Sequence, residues 1–245
     1  MELLLGSGMA FMLVVDLVVG VRLLMLARRT RELPELAFGT GFVLLGAIGY
    51  PLATVARGIA LDAPETGGPL LLAAIGTQDL ACFAIYVAVA RVFRPTSALA
   101  KGCVAAAAAL LALSWIGQVA SGAPDGGPFF LVGWAMRGGC FAWSTAEALA
   151  CFDRMRRRLA LGLADPLIVD RFRLWAVANG AITVGFAIFM AGRLAAPPGA
   201  GQLPAVTALT SLVGIVAGVA LWLAFVPPDA YVRRVRGASP AGPAA

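Results

Sequence analysis

Apolar residues collect in seven long runs: 3–27, 36–60, 69–92, 100–120, 129–151, 172–195 and 205–226. A helix needs about 20 apolar residues to cross the hydrocarbon of a bilayer. Each run is long enough, so the pattern predicts an all-α membrane protein, a seven-helix transmembrane bundle forming one domain over residues 1–236. The first run could be read as a secretory signal. It has no basic residue before its apolar core, and Arg28, Arg29 and Arg31 follow it. That order fits an uncleaved first helix with its N-terminus outside.

The polar segments between the runs alternate in charge. Arg28–Arg31, Arg94–Lys101, Arg154–Arg158 and Arg233–Arg236 are basic. Segments 62–68, 121–128 and 197–204 are short, Gly- and Pro-rich, and acidic or neutral. Basic loops stay in the cytoplasm. Every cluster is satisfied by one assignment: N-terminus outside, C-terminus inside, multi-pass in a bacterial inner membrane. The longest predicted loop, 152–171, carries Arg154, Arg156, Arg157 and Arg158. They would anchor the topology, or meet lipid headgroups or a cytoplasmic protein partner. The tail 237–245 is Ala, Gly, Pro and Ser and is expected to be disordered.

Composition narrows the class further. Of 245 residues, 60% are hydrophobic and only 13% charged, with mean hydropathy +0.89. That is too little polar surface to face water, so the lipid bilayer is the expected solvent. The net charge of +6 sits in the short clusters between runs, which argues for topology and against nucleic acid as a partner. Cys82, Cys103, Cys140 and Cys151 lie in or beside apolar runs with no CxxC pair, and read as small apolar fillers. The chain has no His, which removes most zinc and haem chemistry. No HExxH, GxSxG or P-loop sequence is present, so no metal, cofactor or catalytic residue is expected.

Runs one to three and five to seven share an outline. Runs one and five end in basic clusters. Arg57 and Arg193 lie near the ends of runs two and six. Val92-Phe-Arg-Pro95 closes run three and Phe225-Val-Pro-Pro228 closes run seven. The fourth run would then link two parallel triplets. This resembles the three-one-three plan of SWEET-type sugar transporters and of rhodopsin-like seven-helix proteins. The SWEET family's Pro-Gln motif is absent; Tyr50-Pro51 comes nearest. The only lysine is Lys101 near a loop, so a retinal Schiff base on helix seven is excluded. The turn from Arg28 to Glu35 and the closing Phe225-x-Pro-Pro-x-x-Tyr231 are also similar to those of uncharacterised bacterial seven-helix proteins.

Ionisable residues inside a bilayer are costly and usually face the bundle interior. Counting about 1.5 Å per helical residue, Asp79 and Arg137 fall at nearly the same depth, roughly 20 Å from the basic side. An ion pair would offset their desolvation. Asp16 lies somewhat shallower. Glu147 lies near the basic side, level with Arg22, which could pair with it or snorkel. Arg137, Cys140, Ser144, Glu147 and Cys151 share one helical stripe. Asp79, Cys82 and Tyr86 form another, and Asn179, Thr183 and Arg193 a third. These stripes are either register-fixing polar pairs or a ligand or ion pocket between helices three, five and six. The pocket candidates are Asp16, Asp79, Arg137, Ser144, Glu147 and Asn179. Arg57 and Arg193 reach the outer interface, to snorkel or to form an anion mouth. Gly214 and Gly218, beside Thr207, Thr210 and Ser211, suit close helix packing, including a homo-oligomer.

Three functions fit. The leading expectation is a receptor- or sensor-like protein that binds a small or lipidic ligand. With no output domain after helix seven, it would act through a separate partner. The alternatives are a small-solute or proton-coupled transporter, which Asp16 and Asp79 favour, and a structural membrane subunit.

Overall fold

The computed structural model describes residues 2–124, 126–195 and 203–237, with backbone alone for 2–7 and 9. Residues 238–245 of the expected disordered tail lie outside the described residues, as does most of the 197–204 segment. Among the described residues there are helices and turns and no strand. The helices are α1 (Glu2–Thr30), α2 (Leu33–Asp62), α3 (Pro64–Phe93), α4 (Ala98–Ser121), α5 (Gly127–Ala160), α6 (Pro166–Ala195), α7 (Pro204–Phe225) and α8 (Asp229–Gly237).

Six of them, α1 to α4 with α6 and α7, are long and apolar enough to cross a membrane. This is the architecture of a multi-pass helical membrane protein. α5 is not among the six, because its 34 residues include Arg137, Ser144, Thr145, Glu147 and the basic end at Arg154–Arg158. Large apolar side chains such as Val14, Leu80, Ile116 and Leu212 are more than half exposed, while Asp16 (1%), Arg137 (2%) and Gln118 (0%) are enclosed. A water-soluble protein distributes these groups the other way. Lipid as solvent accounts for it.

Nearly every helix outruns its apolar run. Hydrogen bonding carries a helix past the lipid-solvated stretch wherever nothing stops it. Segment 62–68 therefore shrinks to a corner at Ala63, with Pro64 opening α3. The 152–171 loop is corrected in the same way. α5 stays helical to Ala160 and α6 begins at Pro166, leaving 161–165 as the connection. The arginines favour this, since cations at a helix C-terminus complement its dipole. Gly162 (φ 72°) then ends the helix: its N–H bonds Leu159 O at 2.9 Å, and Leu163 N–H bonds Arg158 O at 2.9 Å. Asp165 Oδ1 accepts the Leu167 N–H at 2.8 Å and starts α6.

Contacts gather in two compact units, one of residues 12–140 and one of residues 1–11 with 141–245. In the first, Ala53, Ala56, Leu71, Ala74 and Ile75 make a small-residue core between α2 and α3. α1 approaches α2 at Gly20 and Gly39; a Cβ on Gly20 would lie 3.1 Å from Gly39 O. In the second, Trp175 packs edge-on to Phe225 at 5.3 Å and Phe141 stacks on Phe186 at 5.9 Å. Gly214 and Gly218 are buried there.

Candidate functional site

In unit 12–140, α3 presents Asp79, Cys82 and Tyr86 to the interior, three and four residues apart on one face. α5 presents Arg137 and Cys140. Arg137 Nη1 donates to Asp79 Oδ1 at 2.8 Å, with the side chains 2% and 8% exposed. The Trp134 ring lies 5.9 Å from the guanidinium carbon. One turn of α3 further on, Tyr86 Oη donates to Met136 O at 2.9 Å, tying α3 to the backbone beside Arg137. Gly139 leaves room for that phenol: a Cβ there would stand 2.7 Å from Oη. On the other flank, Ser114 Oγ donates to Phe129 O at 2.8 Å and accepts from Gln118 Nε2 at 2.9 Å. Polar bonds thus hold α3, α4 and α5 around the ion pair.

The middle of α2 departs from the α-helix. Val43–Gly49 is a π-helical turn, separated from Pro51 by Tyr50 alone. In an α-helix the Pro51 ring would crowd the carbonyl four residues back and remove a hydrogen bond. A widened turn relieves both. The turn contacts both neighbours through glycine. A Cβ on Gly46 would lie 2.6 Å from Asp16 Cβ, and one on Gly49 would lie 2.7 Å from Gln78 Cγ. Gln78 Nε2 also donates to Gly49 O at 3.1 Å. Tyr50 stands within electrostatic range of Asp16, Cys82, Arg137 and Cys140. The π turn therefore lies between Asp16 on α1 and the Asp79–Arg137 pair.

Several buried polar atoms here meet no partner. They are Asp16 Oδ1, Asp79 Oδ2 and Arg137 Nε, with Gln118 Oε1 beside Ser114. Such atoms are costly in a low-dielectric interior. Chemically the centre offers one acceptor and one donor side by side on a neutralised pair, and a second carboxyl across the π turn.

Apart from Arg22, the other candidates belong to the second unit. Ser144 accepts from Trp175 Nε1 at 2.9 Å, Asn179 donates to Trp175 O at 2.8 Å, and Glu147 Oε1 accepts from Trp143 Nε1 at 3.2 Å. Arg154, Arg156, Arg157 and Arg158 are exposed on the last turns of α5, and Arg22 is exposed on α1. At the start of α6, Asp170 pairs with Arg173 at 2.5 Å and accepts from Tyr231 Oη at 2.5 Å, which fastens α8 to α6. Burial first, then the bond to Asp170 and its charge, raise the Tyr231 phenol above its ordinary range.

Tyr50, Gln78, Trp175 and the Asp170–Tyr231 bond were not singled out by the sequence pattern. A signal for Tyr50 existed: Gly-Tyr-Pro in the middle of an apolar run marks a helix that must widen or kink. Among the described residues no group of three or more His, Cys, Asp or Glu is placed to hold a metal ion. Comparison with protein-family models, curated proteins and solved structures gave no match.

Proposed function

We propose that this chain is a seven-span protein of a bacterial inner membrane, N-terminus outside, that works as a receptor or sensor for a small polar ligand. The ligand binds at the Asp79–Arg137 centre, and the basic end of α5 engages a cytoplasmic partner. The observation that carries the reading is the pair's unfinished hydrogen bonding: Asp79 Oδ2 and Arg137 Nε are enclosed without partners. A ligand with one donor and one acceptor would complete both. α5 is counted as the seventh span because its polar stripe (Arg137, Cys140, Ser144, Glu147) is buried while Leu131 and Leu149 are exposed. The alternating loop charge supports the orientation, and the parallel three-helix repeat is part of the same proposal. No catalytic role is assigned.

A thermal-shift screen of small polar compounds on the purified full chain tests this. A compound that raises the melting temperature of the wild type, and not of Asp79→Asn/Arg137→Gln, supports the reading. If every active compound shifts both proteins equally, the centre is not the binding site.

One observation favours a second reading, a proton-coupled transporter. Asp16 is enclosed on α1 with no ion-pair partner among the described residues, and its Oδ1 meets no donor. Exchangeable carboxyls within spans mark proton pathways. Proton-dependent flux in proteoliposomes, lost in Asp16→Asn and in Asp79→Asn, would select transport over sensing.

A further inference from the structure

The π turn of α2 leaves one backbone carbonyl without a helical donor. In a regular helix the Gly46 carbonyl would accept from residue 50, and in a π turn from residue 51. The Tyr50 N–H instead bonds Leu45 O, and residue 51 is proline, which has no N–H. Gly46 is buried, so the carbonyl lies away from bulk water. The same residue packs directly on Asp16 of α1. A Cβ on Gly46 would lie 2.6 Å from Asp16 Cβ, 3.5 Å from its Oδ2 and 3.2 Å from Leu13 O. Asp16 is enclosed, and its Oδ1 has no hydrogen-bond partner. Arg137 neutralises Asp79, whereas Asp16 forms no ion pair among the described residues. A carboxylate, an unclaimed carbonyl and a second backbone carbonyl thus meet between α1 and α2, all of them acceptors.

From this geometry we infer that the contact is a binding site for a small monovalent cation, sodium, held by the Asp16 carboxylate and the Gly46 carbonyl with Leu13 O beside them. Carboxylate and carbonyl oxygens suit a hard cation. One negative charge selects a single positive one, because a charge enclosed within a span must be neutralised. Calcium would call for several more oxygens, and among the described residues no group of three or more His, Cys, Asp or Glu gathers here. The close approach of α1 and α2 at Gly46, and again at Gly20 and Gly39, suits sodium better than the larger potassium. Carbonyls released where a spanning helix loses its regular bonding are natural ligands for such an ion. The site does not depend on the ligand proposed for the Asp79–Arg137 centre, and it holds whether the chain senses or transports. Sodium and a proton compete for one carboxylate, and the experiment tells them apart.

The test uses the purified full chain in detergent at fixed pH and ionic strength, with sodium, potassium and choline chloride as probes. Binding is read by the melting temperature and by equilibrium binding of radioactive sodium. Sodium should raise the melting temperature along a single-site saturation curve, and potassium and choline should not. Asp16→Asn keeps the size of the side chain and removes its charge, and it should bind no sodium. The control Glu147→Gln neutralises a different buried carboxylate and should bind sodium as the wild type does. Pro51→Ala restores the missing N–H with Asp16 intact; competition for the Gly46 carbonyl should weaken sodium binding about tenfold. Unaltered sodium binding in Asp16→Asn would overturn the site. So would equal stabilisation by all three cations, or a wild-type chain that binds no sodium, which would leave Asp16 to a proton. If Asp16→Asn does not fold, Pro51→Ala carries the test: wild-type sodium affinity in that variant would also overturn the proposal.

Discussion

At the scale of single residues, the Asp79–Arg137 pair holds the strongest stability statement. Truncating one partner of a buried pair leaves the other charged and enclosed, which costs about 3–5 kcal/mol; neutral isosteres of both keep shape and hydrogen bonding at far less cost. Arg137→Ala is therefore expected to melt well below Asp79→Asn/Arg137→Gln in the same detergent. Equal melting temperatures would mean that the ion pair does not form in the membrane. The pairing was legible in the sequence because helical rise places both residues at one depth and lipid tolerates few lone charges. Gln78 was not legible. Its partner is the Gly49 carbonyl, and that carbonyl becomes available only through the shape of α2.

At the scale of elements, α8 is held to α6 by the Tyr231–Asp170 bond. The phenol's affinity for its proton is raised by burial and by that carboxylate. A folded value raised above the unfolded one, about 10 for tyrosine, contributes stability that is complete below that pH and is lost as pH climbs through the folded value. Hydrogen exchange should thus show α8 protected through neutral and mildly alkaline pH, loosening only above about pH 10. Tyr231→Phe should expose α8 at neutral pH as well. Protection of α8 unchanged in that variant would assign its docking to other contacts. The helices themselves were legible from apolar length; their ends were not. Apolarity measures where lipid begins, whereas caps such as Ser97, Asp165 and Gly162 decide where a helix stops. That is why 152–171 read as a loop, although most of its arginines prolong α5.

At the scale of the whole molecule, the charge pattern predicts an orientation that can be tested directly. In a cysteine-free background, a cysteine placed at Arg156 should react with a membrane-impermeant thiol reagent in inverted vesicles and stay silent in intact spheroplasts. Labelling from the periplasmic face would invert the whole topology. That the chain is helical with several membrane-length spans followed from its apolar runs, six of which are helices long and apolar enough to cross a membrane, but the grouping of the helices into two units did not. Grouping depends on which small residues let backbones meet, as Gly20 and Gly39 do, and a run rich in Ala, Gly and Leu offers many such choices. The π turn in α2 has one consequence of this larger kind. It stores one residue more than a regular helix would use over the same rise. Excising a single residue from Val43–Gly49 would let the turn close to a regular helix and leave Leu33–Phe42 in phase with Tyr50–Asp62, at the local cost of crowding by Pro51, whereas one residue removed from the regular winding of Tyr50–Asp62 would swing what lies on either side by roughly 100°. The Phe38 and Phe42 rings would then keep the neighbours that now enclose them only in the first case. Of two codons deleted inside the same oily stretch, with no charge altered, the one within the widened turn should therefore be the less damaging.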